Sequence, residues 1–375
     1  MTRDRRHERG AVSLFTIVAL VALLGFGALA LDVGVLYVKR ARLQTAADLG
    51  ALAGANRMII TGQQTEARAA AVAIARLNLD AGDQPAVAVT DADVTFPDVE
   101  RIRVVANRAQ DHTNAMRMFL APVLGITQSD VRATGVALIR PACPADAECL
   151  LPFMVPVPFE WDDTCDSKQQ NVNNGQLDLQ SACEVTSVHN VRLYGAQDLG
   201  TQITLKYGDA HDAMAPGIFN PVAAPGGQGG SWYRGRIANQ DCSGALPVSV
   251  GDDIDMEPGN MIGPTKQGFQ DMLAADPGAY WWDGGGNPEL ARPRGGLAED
   301  DPRNSPRVRH MAFYDPRYPP TTGRNSVEVV QLATVFVESI DSHGNVTARF
   351  FPTIASDPVA GGEECLFRAA VLVRE

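Results

Sequence analysis

The residues with the most definite chemistry open to them are six cysteines, Cys143, Cys149, Cys165, Cys183, Cys242 and Cys365. None stands in a C-x-x-C pair, which leaves redox-dithiol and zinc-ribbon readings without a footing and points to structural disulfides. Six cysteines allow about fifteen pairings. Cys143 with Cys149 and Cys165 with Cys183 are locally attractive, which would leave Cys242 and Cys365 to tie the C-terminal strand to the middle of the chain. A second group is oxygen-rich: Asp162, Asp163, Asp166, Asn171, Asn173, Asn174 and Asp178 crowd one loop, and clustered oxygens suit a hard cation such as calcium. The EF-hand register fails there, because Gly175 at the sixth position puts Gln170 first, Val172 third and Ser181 twelfth. The expectation is therefore a solvated, disulfide-framed loop and no cofactor, with calcium as the alternative. Tyr280, Trp281 and Trp282, followed by Asp283 and three glycines, form an aromatic group suited to partner contact or to packing under a loop. Catalytic strings are absent: there is no G-x-S-x-G, no Walker A sequence and no H-E-x-x-H, and His189, His211, His310 and His343 are isolated. The chain is not expected to be an enzyme.

What must position these groups starts from the charge and length. The chain has 375 residues, 45% of them hydrophobic and 20% charged, enough for two or three units with real cores at roughly 150 residues each. Its net charge of −12 gives no basic face for nucleic acid. Residues 1–42 nevertheless carry seven basic and three acidic side chains, which leaves −16 on the remainder.

Ala11 to Leu31 is a run of 21 residues without a charge. As a helix it spans about 31 Å, close to the hydrocarbon thickness of a bilayer. Arg3, Arg5, Arg6 and Arg9 precede it, which predicts a cytoplasmic N-terminus and everything beyond residue 40 outside, although Lys39, Arg40 and Arg42 lie on the far side. All six cysteines then fall in an oxidising compartment. A cleaved signal peptide is the competing reading, since Ala28-Leu29-Ala30 resembles a cleavage site. The run exceeds the usual apolar length of about 7–15 residues, and Val33, Val35, Leu36 and Val38 continue it. Asp32 marks the outer membrane boundary, or else meets a neighbouring subunit's helix.

Residues 36–57 continue as helix without a proline, and Ala46, Gly50 and Gly54 recur every four residues as a stripe for close backbone approach. A second helix is predicted over Thr65–Leu79, strands at Val87/Val89 and Ile102/Val104/Ala106, a third helix capped by Thr113 and carrying Met116, Phe119 and Val123, and a closing strand at Val131–Ile139. From Pro141 to Cys149 the chain reads as a linker pinned by a small loop. Beyond it, Gly, Pro, Asn and Asp separate short apolar stretches, among them Leu151–Val157, Gln202–Leu205 and Leu246–Val250. Val327–Ile340 and Asn345–Phe351 read as a hairpin, Thr265 as the cap of a helix with Phe269, Met272 and Leu273, and Leu366–Val373 as a last strand.

The segment Arg9-Gly10-Ala11, the apolar run, Leu31-Asp32-Val33-Gly34 and the string from Arg42 to Ala55 (RLQTAADLGALAGA) resemble the N-terminal region of TadG-like proteins of Tad (tight adherence) Flp pilus-assembly systems. The stretch from Gly251 to Gly278, with Asp253, Asp255 and Glu257, is similar to their extracytoplasmic part. Two departures matter. The fifth residue after Gly10 is Phe15 rather than a glutamate, so prepilin-type processing is not implied, and no D-x-S-x-S metal site of a von Willebrand A domain is present. The resemblance implies a membrane-anchored, non-enzymatic assembly component, with other pilus-assembly proteins or pilin subunits and the membrane as partners. The helix stripe would serve association, and an adhesive contact outside the cell fits the same reading. The fold class expected is α+β: residues 1–10 a cytoplasmic basic segment, 11–31 a transmembrane helix, 32–140 a small α-α-β-β-α-β unit, and 141–375 a β-rich, disulfide-containing extracytoplasmic domain. The alternative is an anchored surface module that binds glycan or protein and has no part in pilus assembly.

Overall fold

The computed structural model describes residues 6–78, 89–144, 150–165, 172–207, 213–214, 218–223, 229–238, 247–257, 261–287, 290–320, 326–355, 358–359 and 365–374. It is α+β and divides into two compact units. The first comprises residues 1–55, 64–138 and 371–375, and the second residues 56–63 and 139–370, so a single cut near residue 140 misses an exchange at each end.

The first unit is built on helix α1 (Arg6–Thr61), of which it holds all but the last turns, and α2 (Gln64–Leu77). Apolar and small residues at 43, 46, 47, 50, 51, 54 and 55 recur at three- and four-residue spacing and are buried as one stripe of α1. Ala67, Ala71, Val72 and Ala75 of α2 are buried likewise. The helices are matched by β1 (Val94–Thr95), β2 (Arg101–Arg108) and the first part of β3 (Val131–Pro144), antiparallel in that order, with Ile102 paired to Ala137 and Val104 to Gly135. Arg68 and Arg76 of α2 donate to the carbonyls of Val94 and Val89 and secure the approach to β1. Val87 lies outside the described residues, and Val89 is not in a strand.

The third helix expected at 113–124 does not form. Thr113 adopts a left-handed conformation (φ 56°) at the end of a 3-10 turn, and Met116–Arg117 pairs with Gln128–Ser129. Between them lies one 3-10 turn, Ala121–Leu124, opened by Pro122 and closed by Gly125. A proline and a glycine so close together leave no room for helical propagation, which outweighs the apolar spacing. The linker expected after Arg140 is also displaced, because β3 runs on to Pro144.

The second unit contains a closed six-stranded barrel. Its strands are β4 (Leu150–Pro156), β5 (Gln202–Tyr207), β6 (Ile218–Pro221), β7 (Val308–Tyr314), β8 (Gln331–Ile340) and β9 (Val346–Phe350), in the order β6-β4-β7-β8-β9-β5. Four neighbour pairs are antiparallel; β4 with β7 and β5 with β6 are parallel. The strand predicted at 327–340 breaks at Val329–Val330 into Ser326–Glu328 and β8. The hairpin to β9 turns at 341–345, where the Asp341 carboxylate accepts the amides of His343 and Asn345. Met311, Phe313, Ala333, Val335 and Val337 share one buried cluster with Phe153, Leu205 and Phe350, while Ala312, Tyr314 and Leu332 face another. Burial on both faces explains why β8 reads as an almost continuous apolar run rather than an alternating one.

Three helices accompany the barrel: α3 (Ala182–Ser187), α4 (Gly230–Ala238) and α5 (Ile262–Ala275). Phe269 and Met272 of α5 enter the barrel cluster, with Phe269 6.0 Å from Phe153. Helix α5 starts after Met261, not at Thr265, whose hydroxyl donates to the Met261 carbonyl from inside the first turn. The second unit also holds the end of α1. Gly62, at φ +61°, ends that helix by donating to Met58, and Arg292 donates to the carbonyls of Met58 and Ile59 while Arg294 reaches Thr61. Two guanidinium groups thus meet the last carbonyls and the negative end of the helix dipole.

Two disulfides lie among the described residues. Cys165 is bonded to Cys183, and Cys143 to Cys365, so neither the Cys143–Cys149 nor the Cys242–Cys365 pairing is adopted. The reason is topological: β3 carries Cys143 beside Val359, and Cys365 precedes β10 (Phe367–Val373), whose first residue pairs with Thr353. Cys149 and Cys242 lie outside the described residues.

Candidate functional site

The first unit presents the most unusual surface of the molecule. Along α1 the apolar stretch is bare of the described residues: Phe15, Leu23 and Phe26 are about 70–80% exposed, and the most apolar window of the helix is entirely unburied. For soluble chains an exposed apolar patch of this extent marks an interaction surface. This is the one helix among the described residues long and apolar enough to cross a membrane.

Asp32, the first charged residue after that run, is 4% exposed. Its carboxylate accepts the backbone amides of Phe119, Leu120 and Ala121 at 3.0, 2.9 and 2.6 Å. Sequence reasoning placed Asp32 at the membrane boundary or against a neighbouring subunit. In the structure its oxygens go to a loop of its own chain, which does not bear on the place at the membrane boundary. Three amide donors on one carboxylate form a charge-assisted cluster, stronger than neutral hydrogen bonds. The expected third helix concealed this partner. A Pro-Val-Leu-Gly string within an apolar stretch was the available signal.

The stripe Ala46, Gly50, Gly54 is also consumed within the unit. A Cβ on Gly50 would lie 3.0 Å from the Ala71 carbonyl oxygen and from the Ala75 Cβ, and one on Gly54 would lie 3.1 Å from the Ala71 Cβ. Strand β3 crosses even closer, for a Cβ on Gly135 would meet the Ala47 carbonyl at 2.5 Å. Gly50 and Gly54 therefore seat α2, and Ala46 is buried. Gln44 adds a polar tie, donating to Asp48 and to the Thr134 carbonyl.

Residues 10–57 match the family model "Tad: Putative Flp pilus-assembly TadE/G-like". The matched stretch, called the Tad segment for this similarity, covers 48 of the 375 residues. It contains the whole exposed apolar helix, Asp32 and the small-residue stripe, and it ends at Arg57, before α2 and the barrel. No curated protein and no solved structure matches the chain.

Outside the Tad segment the predicted sites are scattered. Asp162 and Asp163 are engaged in turns: Asp162 accepts the amide and hydroxyl of Thr164, which hold its carboxyl below the usual range, and Asp163 accepts the amide of Gly175. Asn174 accepts from Gln176 and Asp178 from Gln180, so these oxygens frame the loop, while Asp166 and Asn171 lie outside the described residues. No cluster of three or more His, Cys, Asp or Glu suited to a metal occurs among the described residues.

Tyr280, Trp281 and Trp282 sit on a short strand paired with Arg292–Arg294. Only Tyr280 is mainly exposed, at 54%. Trp281 lies 6.3 Å from both Phe336 and Phe351, and Trp282 is covered by the Arg294 guanidinium at 4.8 Å. Packing thus claims most of the platform expected for a partner. Asp253 and Asp255 lie on a two-stranded ladder with Ser326–Glu328, and buried Glu257 accepts the amide of Gly229.

A cavity of about 450 Å³ in the second unit is lined by Arg140, Gln197, Leu199, Leu366 and Arg368, with no carboxylate or histidine among its described walls. The histidine with the most perturbed proton affinity is His310, half-buried in β7. Burial, with Arg309 beside it, pushes its pKa down to about 4. Its Nδ1 faces the Thr334 hydroxyl at 3.0 Å and its ring lies 5.2 Å from Phe367, which makes it a packed neutral side chain.

Proposed function

We propose that this chain is a non-enzymatic, single-pass membrane component of a Tad-type Flp pilus-assembly apparatus. Residues 11–31 cross the bacterial plasma membrane, the arginine-rich N-terminus stays in the cytoplasm, and everything beyond residue 40 lies outside. The observation that carries this reading is the coincidence of the Tad match at 10–57 with a helix whose apolar surface is exposed among the described residues. Disulfides at Cys143–Cys365 and Cys165–Cys183 suit an oxidising compartment. Its partners are the membrane, other assembly proteins or pilin subunits, and not nucleic acid. With Gly50 and Gly54 occupied by α2, the scaffolding contact falls to the exposed helix between Ser13 and Val38.

Deleting the gene and counting pili by electron microscopy tests this reading. Loss of pili, restored by the intact gene, supports an assembly role; unchanged pilus number with normal protein expression overturns it.

A further inference from the structure

The loop held by Asp32 has a surface of its own. From Met118 to Ser129 the chain carries no charged residue, and within it Phe119, Val123 and Ile126 are 83%, 87% and 52% exposed. Three large apolar side chains projecting from one short turn are costly in water. Their backbone is unusually well prepared to leave it. The amides of residues 119–121 end on Asp32, Pro122 has none, and those of Met118, Val123, Gly125 and Ile126 donate to Thr127, Leu120, Pro122 and Ala121. Unsatisfied backbone amides oppose placing irregular chain in an apolar phase, and here those of 118–121, 123, 125 and 126 are already paired. The height of the loop is also fixed, because the carboxylate holding it belongs to the residue directly after the apolar run ending at Leu31.

We propose that loop 118–126 is a second membrane contact, a wedge that inserts Phe119, Val123 and Ile126 into the outer interfacial layer beside the anchor helix, at a depth set by Asp32. The inference rests on the membrane-spanning reading of residues 11–31. Its occupant is lipid, because the amides of 119–121 end on Asp32, which places exposed Phe119, Val123 and Ile126 beside the end of the exposed apolar run. Interfacial elements of this kind bury their apolar face roughly 5–10 Å into the headgroup and acyl boundary. Tying the loop to the helix would set the tilt of the first unit against the bilayer.

The test uses the full chain in nanodiscs, one copy per disc, with bromine placed on the acyl chains. Single substitutions Phe119→Trp and Leu20→Trp are compared after subtraction of the emission of the unsubstituted chain. The expected result is loss of Phe119→Trp emission to shallow bromines, together with protection from iodide in the buffer. Leu20→Trp should lose emission to deep bromines. Quenching at Leu20→Trp without quenching at Phe119→Trp overturns the wedge alone, whether iodide reaches residue 119 or protein shields it. No quenching at Leu20→Trp overturns the spanning reading itself. Adding Asp32→Asn to Phe119→Trp should abolish the shallow quenching, and full retention would overturn the role of Asp32 in setting depth.

Discussion

In the first unit, glycine and alanine let backbone meet backbone: Gly50 and Gly54 admit α2, and Gly135 lets β3 pass over Ala47. In the barrel, by contrast, Tyr194, Phe313 and Phe350 fill the space between strands with rings 4.6–5.9 Å apart, and Gln331 locks Tyr194 in place by bonding both its amide and its carbonyl. Small-residue contact fixes geometry through sterics and gains little from apolar area, whereas aromatic packing gains mainly from area. The first kind of interface fails when something is added and the second when something is removed.

That contrast can be broken most severely in the barrel. Phe350→Ala should cost about 3–5 kcal/mol, read as faster hydrogen exchange in peptides of β7, β8 and β9. A smaller loss of about 2–4 kcal/mol is expected on replacing Cys143 and Cys365 together by serine, seen as a lower denaturant midpoint for those same peptides. Acid should act next. The depressed affinity of His310 means that the unfolded chain binds its proton from about pH 6.5 down while the fold resists until about pH 4. Barrel stability is then full above pH 6.5 and erodes through that window by at most about 3 kcal/mol, and His310→Gln should flatten the slope. In the first unit the direction reverses: Gly54→Val adds atoms and should cost about 1–3 kcal/mol through overpacking against Ala71, monitored by exchange in α2 peptides. Smallest is Asp32→Asn, expected to cost about 1–2 kcal/mol and to expose the amides of 119–121 to exchange.

The same contrast explains what could be read in the sequence. Helices α1 and α2 were legible because their small residues keep a helical period, and the β8–β9 hairpin because its turn residues are local. The barrel's closure was not, since β4 with β7 and β5 with β6 are parallel pairings between segments with no local signal. Cys143–Cys365 was hidden for the same reason: only the approach of β3 to the segment before β10 makes it the near pair. The Asp32 clamp was missed because apolar spacing at Met116, Phe119 and Val123 imitates a helix face, while Pro122 and Gly125 decide the conformation. The Ala46–Gly50–Gly54 stripe was visible, but spacing alone does not say whether α2 or another protein fills it.

The central claim is that residues 11–31 cross the membrane and leave everything beyond residue 40 outside, and protease protection on spheroplasts tests it most directly. With the membrane sealed and washed at alkaline pH, the account predicts that the chain stays in the membrane fraction. External protease should leave only a short protected fragment around residues 1–31. Release by the wash, or full protection of the barrel until the membrane is lysed, would contradict it.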